Sequence, residues 1–232
     1  MYNKFYILFL ALLVGLMVGM LQSELIVPVF GENGAYYHGV KGNNQISLMF
    51  NVDWGEDYIP DILEELDKHG VKATFFVTGH WAEQYPELLK EIVDEGHEIG
   101  NHGYNHRHIK DLSDQQIINS IKQNEKLIYE ITGQKTRLFT PPYGEVDERV
   151  TSLVEDIGYK TIMWSSDTID WQRPSSDIII HRAINKIEDG GIILMHPTRP
   201  SVKALPQIIK NLNDRDFNFV KISQLISNQK NI

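Results

Sequence analysis

From Gln45 onward, short apolar runs rich in β-branched and aromatic residues alternate with longer stretches whose apolar residues recur at helical spacing. The first pair predicts a strand from Ile46 to Val52 and a helix from Tyr58 to His69. About seven such pairs continue to residue 228, and this alternation is typical of parallel strands joined by helical crossovers. The sequence therefore predicts one α/β domain over residues 45–228, a closed or nearly closed (β/α) barrel of about seven strands.

The N-terminus departs from this pattern, because residues 5–21 form an unbroken apolar run preceded by a single lysine. A helix of about 17 apolar residues lies at the lower limit for crossing a bilayer. The positive charge on its N-terminal side places the later residues outside the cytoplasm. Residues 1–23 are predicted to anchor an extracytoplasmic domain in the cell membrane or, alternatively, to be the cleaved signal of a secreted protein. Residues 24–44, which contain four glycines, are predicted to be a spacer.

Composition excludes several classes of function. The formal net charge of −9 and the lack of a basic segment argue against a nucleic-acid partner. The absence of cysteine excludes thiol catalysis and disulfides, and it leaves histidine and carboxylates as candidate metal ligands. The Gly-x-Ser-x-Gly elbow of serine hydrolases is missing as well. No partner protein is indicated, so a monomer is expected.

Polar residues capable of catalysis or metal binding interrupt the apolar runs at the ends of several predicted strands. Because the carboxyl ends of parallel strands meet at one rim of a barrel, these residues are expected to line a common pocket. They are Asn51 and Asp53, His102 and His106, Tyr143, Asp167 and Asp170, and His196.

Two of these segments have a chemically informative arrangement. His102 and His106 are four residues apart, a spacing that can hold a divalent metal but also occurs in solvated polar turns. Pro141 and Pro142 stiffen the turn before Tyr143, so its backbone N–H could point at a fixed place, as in an oxyanion hole. A simple proline-rich turn is the alternative interpretation.

Together these segments resemble the polysaccharide deacetylase family, also called the NodB homology domain or carbohydrate esterase family 4. The resemblance runs from Ile46 to Ile222, and the sporulation-type deacetylases of Firmicutes are the most similar subgroup. It implies a distorted (β/α) barrel that hydrolyses the N-acetyl group of a cell-wall polysaccharide, either peptidoglycan or a chitin-like glycan. The matching segments are Ala73–Phe76, Gly96–His102, His106, Pro141–Gly144, Trp164–Asp167, Asp170–Trp171 and Leu194–His196.

The resemblance implies a metal and a base. A divalent metal, expected to be zinc, polarises the acetamide and activates a water molecule, and a carboxylate removes the proton of that water. The implied metal ligands are His102, His106 and Asp53, and the base belongs at the position of Asn51 or Asp53.

The resemblance also implies an acid, an oxyanion donor and a glycan groove. His196 is expected to protonate the leaving amine, with Asp167 tuning it, and the backbone N–H of Tyr143 is expected to stabilise the oxyanion. The residues implied to line the groove are Trp171, Pro142, Tyr143 and Asp170.

The first motif differs from the family pattern. Family members end the first strand with two adjacent aspartates, the base and a metal ligand, whereas a gap-free alignment places Asn51 and Val52 there. An alternative register places Asp53 and Trp54 at these positions. In the family pattern an arginine pairs with the base, and Thr140 stands at its position here. When a buried carboxylate and its arginine are both absent, neither leaves an unpaired buried charge, and this favours the gap-free register. Two functions follow: a weakened N-deacetylase, or a glycan-binding pseudoenzyme of the same fold.

Overall fold

The computed structural model describes residues 33–227. Its strands are β1 (Gln45–Val52), β2 (Thr74–Val77), β3 (Glu98–Asn101), β4 (Leu138–Phe139), β5 (Lys160–Thr161), β6 (Ser166–Asp167), β7 (Ile192–Met195) and β8 (Asn218–Phe219). Its helices are α1 (Ile59–Lys68), α2 (Gly79–Gln84), α3 (Pro86–Asp94), α4 (Asp114–Thr132), α5 (Glu148–Asp156), α6 (Ser176–Asn185), α7 (Arg199–Asn213) and α8 (Ile222–Leu225).

Seven of the strands form one parallel sheet in the order β5-β4-β3-β2-β1-β7-β6, and β8 pairs with the first residues of β1. In the register of the central strands, Asn51 lies opposite Phe76 of β2 and Phe50 lies opposite Met195 of β7. Within residues 33–227 the edge strands β5 and β6 do not pair with each other, so the sheet is a half-barrel. The predicted α/β fold of about seven parallel strands is confirmed, but the sheet is a half-barrel and not the closed or nearly closed barrel that the sequence predicted.

The two faces of β1 point to different regions, one to the apolar layer under the helices and the other to the interior of the half-barrel. Met49 packs in the interior with Phe76 and Leu194. Because side chains alternate along a strand, Asn51 points into the same interior. The residues of β1 that pack against the helices are Ile46, Leu48, Phe50 and Val52.

Helix α1 shows how the sequence pattern produces the outer layer. Pro60 lies in its first turn, where the missing N–H costs no hydrogen bond. Ile62, Leu63 and Leu66 recur on one face and are buried against the sheet. Gly70, with φ of 64°, follows the last turn and begins the connection to β2.

Residues 33–44, which the sequence assigns to a spacer, are attached to the sheet. The backbone N–H of Tyr36 donates to the carbonyl of Thr161 at 2.9 Å, and the N–H of Met163 donates to the carbonyl of Tyr36 at 2.8 Å. His38 forms an antiparallel bridge with Gly191, just before β7. This part of the expected spacer therefore extends the sheet beyond β5 and belongs to the folded domain.

Within residues 33–227, no helix combines the length and apolarity needed to cross a membrane. The predicted membrane or signal segment, residues 1–23, lies outside the described residues.

Candidate active site

The polar residues that follow β1, β3 and β7 come together at one rim of the half-barrel. The ring centroids of His102 and His106 are 4.9 Å apart. Both imidazoles interact electrostatically with His196, and His106 also interacts with the carboxylate of Asp53. Residues from three different strands therefore share one pocket, which is the arrangement that their positions in the sequence predict.

His196 is held by the carboxylate of Asp170. The backbone N–H of His196 donates to Oδ2 of Asp170 at 2.7 Å, and the ring Nδ1 lies 2.8 Å from Oδ1. Asp170 is fully buried, and because an ionised carboxylate only accepts, Nδ1 of His196 carries the ring proton. In the neutral ring, Nε2 then has a free lone pair and can accept a proton and donate it again.

Asp167, the predicted partner of His196, makes a different contact. Its Oδ1 accepts a hydrogen bond from the backbone N–H of Ile169 at 2.8 Å. Ile169 has φ of 51°, a left-handed conformation that is rare for a β-branched residue. This turn brings Asp170 to His196, so the hydrogen-bonding partner of His196 is Asp170 and not the predicted Asp167. The complete burial of Asp170 also excludes the glycan contact predicted for it.

Trp54 covers the ring of His196. The two ring centroids are 6.1 Å apart, and the ring planes differ by 6°. The neighbouring Gly55 has φ of 86°, and a Cβ at this position would lie 2.2 Å from the carbonyl oxygen of Pro197. Only glycine therefore lets this loop pack directly on the residue after His196. The alternative register places Trp54 at the metal-ligand position, but the sequence does not predict its contact with His196.

The two histidines after β3 are neutral at physiological pH. The Nδ1–H of the buried His102 donates to the carbonyl oxygen of Thr140 at 2.7 Å, which leaves Nε2 unprotonated. Burial, together with the nearby His106, lowers the pKa of His102 to about 3. Burial also lowers the pKa of His106. Both rings therefore act as neutral groups in the pocket.

Among residues 33–227, no third protein ligand joins these imidazoles. Val52, at the ligand position of the gap-free register, packs in the apolar layer under the helices. Asp53 accepts a hydrogen bond from the hydroxyl of Thr78 at 2.8 Å. Within residues 33–227, no three His, Cys, Asp or Glu side chains are arranged to hold a metal ion. The predicted zinc ligands His102, His106 and Asp53 are thus not assembled, and the donor set does not fit the implied three-ligand site.

Asn51 occupies the base position of the gap-free register. It is 7% exposed, and its amide Oδ1 has no hydrogen-bond partner among residues 33–227. Thr140 is fully buried, and its hydroxyl donates to the carbonyl of Ile162 at 2.9 Å. Because a carboxamide does not accept a proton near neutral pH, position 51 supplies a polar group but no general base.

Two exposed aromatic residues neighbour the pocket, since the ring centroid of Tyr143 lies 4.7 Å from that of His106 and Trp171 follows Asp170 in the chain. Tyr143 is 56% exposed and Trp171 is 52% exposed. The ring of Tyr143 stacks on His108 with centroids 3.8 Å apart, and Nδ1 of His108 lies 3.2 Å from the carboxylate of Glu145. Flat rings of this kind offer apolar area to the face of a sugar. Sequence reasoning missed His108 and Glu145, because neither residue ends a predicted strand.

Two prolines precede Tyr143 in this turn and limit its backbone donors. Neither Pro141 nor Pro142 has a backbone N–H, so the amide of Tyr143 is the first backbone donor after Thr140. Tyr143 has φ of 60°, a left-handed conformation that a non-glycine residue adopts at a cost. Pro142 is buried, so it shapes this turn and does not offer the groove surface predicted for it.

Comparison with known proteins identifies the family. The family model for polysaccharide deacetylases matches residues 38–162. The chain belongs to the polysaccharide deacetylase family. This deacetylase-family protein is 35% identical over 190 residues to the uncharacterized protein YlxY of Bacillus subtilis, covering 82% of this chain and 60% of that protein. It is 32% identical over 205 residues to a peptidoglycan-N-acetylglucosamine deacetylase of Bacillus cereus, covering 86% of this chain and 74% of that protein.

A solved structure shows the same fold. Wild-type BA3943 of Bacillus anthracis, described as a CE4 family pseudoenzyme, superposes with a TM-score of 0.82 at 38% identity, covering 85% of this chain and 70% of that chain. A mutant of BA3943 is described as having restored enzymatic activity, and it superposes with the same TM-score.

Proposed function

We propose that the protein binds N-acetylhexosamine units of cell-wall glycan at this rim and releases acetate from them slowly. The observation that carries the proposal is the contrast between the two halves of the pocket. The His196–Asp170 pair and the exposed aromatic rings are in place, whereas the base position holds Asn51 with a partnerless amide oxygen. The named peptidoglycan deacetylase activity of a relative supports this substrate class.

The retained groups account for a slow hydrolysis. Nε2 of His196 removes a proton from water as its oxygen attacks the acetamide carbon, and the Tyr143 N–H donates to the developing oxyanion. The same Nε2 then protonates the nitrogen as the C–N bond breaks, which gives acetate and a free amino sugar. General-base catalysis is typically worth about 100- to 10,000-fold, so one histidine serving both steps, without a separate carboxylate base, predicts a rate well below that of complete family members.

A second function, binding without turnover, is favoured by the first motif. Val52 lies in the apolar layer, where it offers no ligand, and Asn51 offers no base. The similarity to BA3943, which is described as a pseudoenzyme, supports this alternative. Both functions use the same groove, and acetate release separates them.

The deciding experiment measures acetate release and binding on the same preparation. N-Acetylated glycan strands containing N-acetylglucosamine or N-acetylmuramic acid serve as substrates, and chitin oligosaccharides serve as the simple analogue. Acetate release that is lost in His196→Ala supports slow deacetylation, whereas glycan binding without acetate supports the second function. If neither glycan binds nor reacts, both functions are wrong. Parallel reactions with added Zn²⁺ or with a chelator test whether His102 and His106 recruit a metal.

We also propose that the domain works outside the cytoplasm, tethered through residues 1–23. The support is the apolar run of residues 5–21 and the cell-wall substrate class named for relatives. Cell fractionation with external protease treatment tests the proposal. A domain that stays in the soluble cytoplasmic fraction and is protected from the protease would contradict it.

A further inference from the structure

The carboxylate of Asp170 accepts a hydrogen bond beyond the two from His196. The hydroxyl oxygen of Ser201 lies 2.6 Å from Oδ2 of Asp170, and Ser201 is fully buried. Since an ionised carboxylate has no proton to give, the hydroxyl of Ser201 is the donor in this bond. A buried serine therefore donates a hydrogen bond to the carboxylate that orients the ring of His196.

Thr198 fixes the direction of the Ser201 hydroxyl. The two hydroxyl oxygens are 2.5 Å apart, and because Ser201 gives its proton to Asp170, Thr198 gives its own proton to Ser201. Thr198 is the N-cap of α7, and its Oγ1 also accepts the backbone N–H of Ser201 at 3.2 Å. The capping geometry of α7 and the orientation of Asp170 are thus set by the same two hydroxyls.

The charge of Asp170 is stabilised without a basic side chain. Among residues 33–227, Asp170 forms an ion pair with His196, and no lysine or arginine lies within 4.0 Å of its carboxylate. Its donors are the Ser201 hydroxyl and the backbone N–H and ring Nδ1–H of His196, and the first turn of α7 adds the positive end of a helix dipole. Ser201 contributes the side-chain donor that does not belong to His196.

We propose that Thr198 and Ser201 are positioning residues that act through Asp170 to hold His196 in its Nδ1–H tautomer, with Nε2 directed into the pocket. The two hydroxyls form a directed chain, from Thr198 to Ser201 to Oδ2 of Asp170. This leaves Oδ1 aligned with the ring of His196. The inference concerns the observed hydrogen bonds and holds whether or not the protein releases acetate, so its failure is distinguishable from failure of the proposed function.

The test is NMR of the full chain labelled with ¹⁵N-histidine. The ¹⁵N shifts of the His196 ring report the tautomer, and the exchange rate of the Nδ1 proton with water reports the strength of its hydrogen bond to Asp170. In Ser201→Ala, we expect this proton to exchange at least about tenfold faster and the Nδ1–H tautomer to lose population, because a hydrogen bond to a charged group has been removed. Asp170→Ala, which removes both carboxylate oxygens, provides the signature of a fully disrupted pair.

Ser47→Ala is the matched control. Ser47 is also a fully buried serine, but its hydroxyl donates to the carbonyl of Val220 near the start of β1, away from the rim. This variant should keep the wild-type tautomer and exchange rate even if it lowers stability. Wild-type behaviour of His196 in folded Ser201→Ala would overturn the proposal.

If Ser201→Ala does not fold, two variants of Thr198 answer the same question. Thr198→Ser keeps the hydroxyl and should rescue the wild-type tautomer and exchange rate, whereas Thr198→Val removes the proton given to Ser201 and should speed exchange. Equal exchange in these two variants would show that the hydroxyl chain has no influence on His196.

Discussion

Replacing Asn51 by aspartate tests directly whether the base position is buried and without a charged partner. Asn51 is 7% exposed, and no described group donates to its amide oxygen. A carboxylate placed there loses its hydration without gaining a donor, so its pKa should rise above the value of about 4 in the unfolded chain. A rise of about 2 to 3 pH units corresponds to a loss of about 3 to 4 kcal/mol in the free energy of unfolding at pH 8.

The pH dependence of this loss follows from the sign of the shift. When an acid has a raised pKa in the folded state, the unfolded chain releases its proton first, so the penalty is absent below about pH 4. It grows with pH until the folded group ionises and is constant above that point. Relative to wild type, Asn51→Asp should therefore lose about 2 kcal/mol more stability at pH 8 than at pH 5. Urea unfolding at both values measures the difference.

Thr140→Arg supplies the missing partner. Alone it buries an unpaired guanidinium and removes the bond to the carbonyl of Ile162, so it should destabilise the domain by several kcal/mol. Combined with Asn51→Asp, it should recover most of the loss at pH 8 and release acetate faster than either single variant. The exposed Asn119, on α4, provides the matched control, since Asn119→Asp should show no comparable pH-dependent penalty.

Two results would refute this reasoning. Equal stability of Asn51→Asp at pH 5 and pH 8, relative to wild type, would mean that position 51 is solvated or already has a donor. Strictly additive effects in the double variant would mean that positions 51 and 140 do not meet, because charges in contact give a coupling energy.

Three further predictions concern the groove, the segment of residues 33–44 and stability in acid. Trp171→Ala should weaken binding of N-acetylated oligosaccharides about tenfold with little change in unfolding, as calorimetry and urea titration would show; unchanged affinity would place the glycan elsewhere. Gly39→Ala should destabilise the domain by about 2 kcal/mol or more in urea titration, because its Cβ would lie 2.2 Å from the side chain of Leu225; wild-type stability would show that residues 33–44 contribute little. Burial and two nearby lysines lower the pKa of His97 to about 4. The free energy of unfolding should therefore fall by on the order of 3 kcal/mol as the pH drops from about 6.5 to 4. His97→Gln should flatten this pH dependence, and an unchanged pH dependence would assign it to other groups.

The alternation of strands and helices was predictable because the underlying patterns are local. Helix α1 and strand β1 depend on their own apolar spacing and on Gly70, and they lie within a residue or two of the expected ends. Strand β5 covers only Lys160–Thr161, and Ile162 directly after it forms a bridge with Tyr36. That pairing joins segments more than 100 residues apart in the chain, and no local pattern encodes it.

The candidate site was predictable as a set of residues but not as a set of partners. The strand-end positions of His102, His106 and His196 place them at one rim. Which aspartate reaches His196 depends on the left-handed turn at Ile169. Isoleucine rarely adopts this conformation, so the sequence does not predict the turn. The contacts of His108 with Tyr143 depend on ring orientation in two loops and have no signature in residue spacing.

The altered first motif is compatible with a stable domain because its changes are matched to one another. In the family pattern that the first motif resembles, loss of the carboxylate at position 51 alone would leave an arginine buried without a partner, at a cost of several kcal/mol. With Thr140 in place of arginine and Val52 in the apolar layer, the remaining defect is one partnerless amide oxygen, which costs about 1 to 3 kcal/mol. The opposite half of the pocket depends on different elements, since Asp170 follows β6 and His196 follows β7. The base can therefore be lost while the hydrogen-bonded histidine and the aromatic groove persist, and the acetate assay measures what that retained half can do.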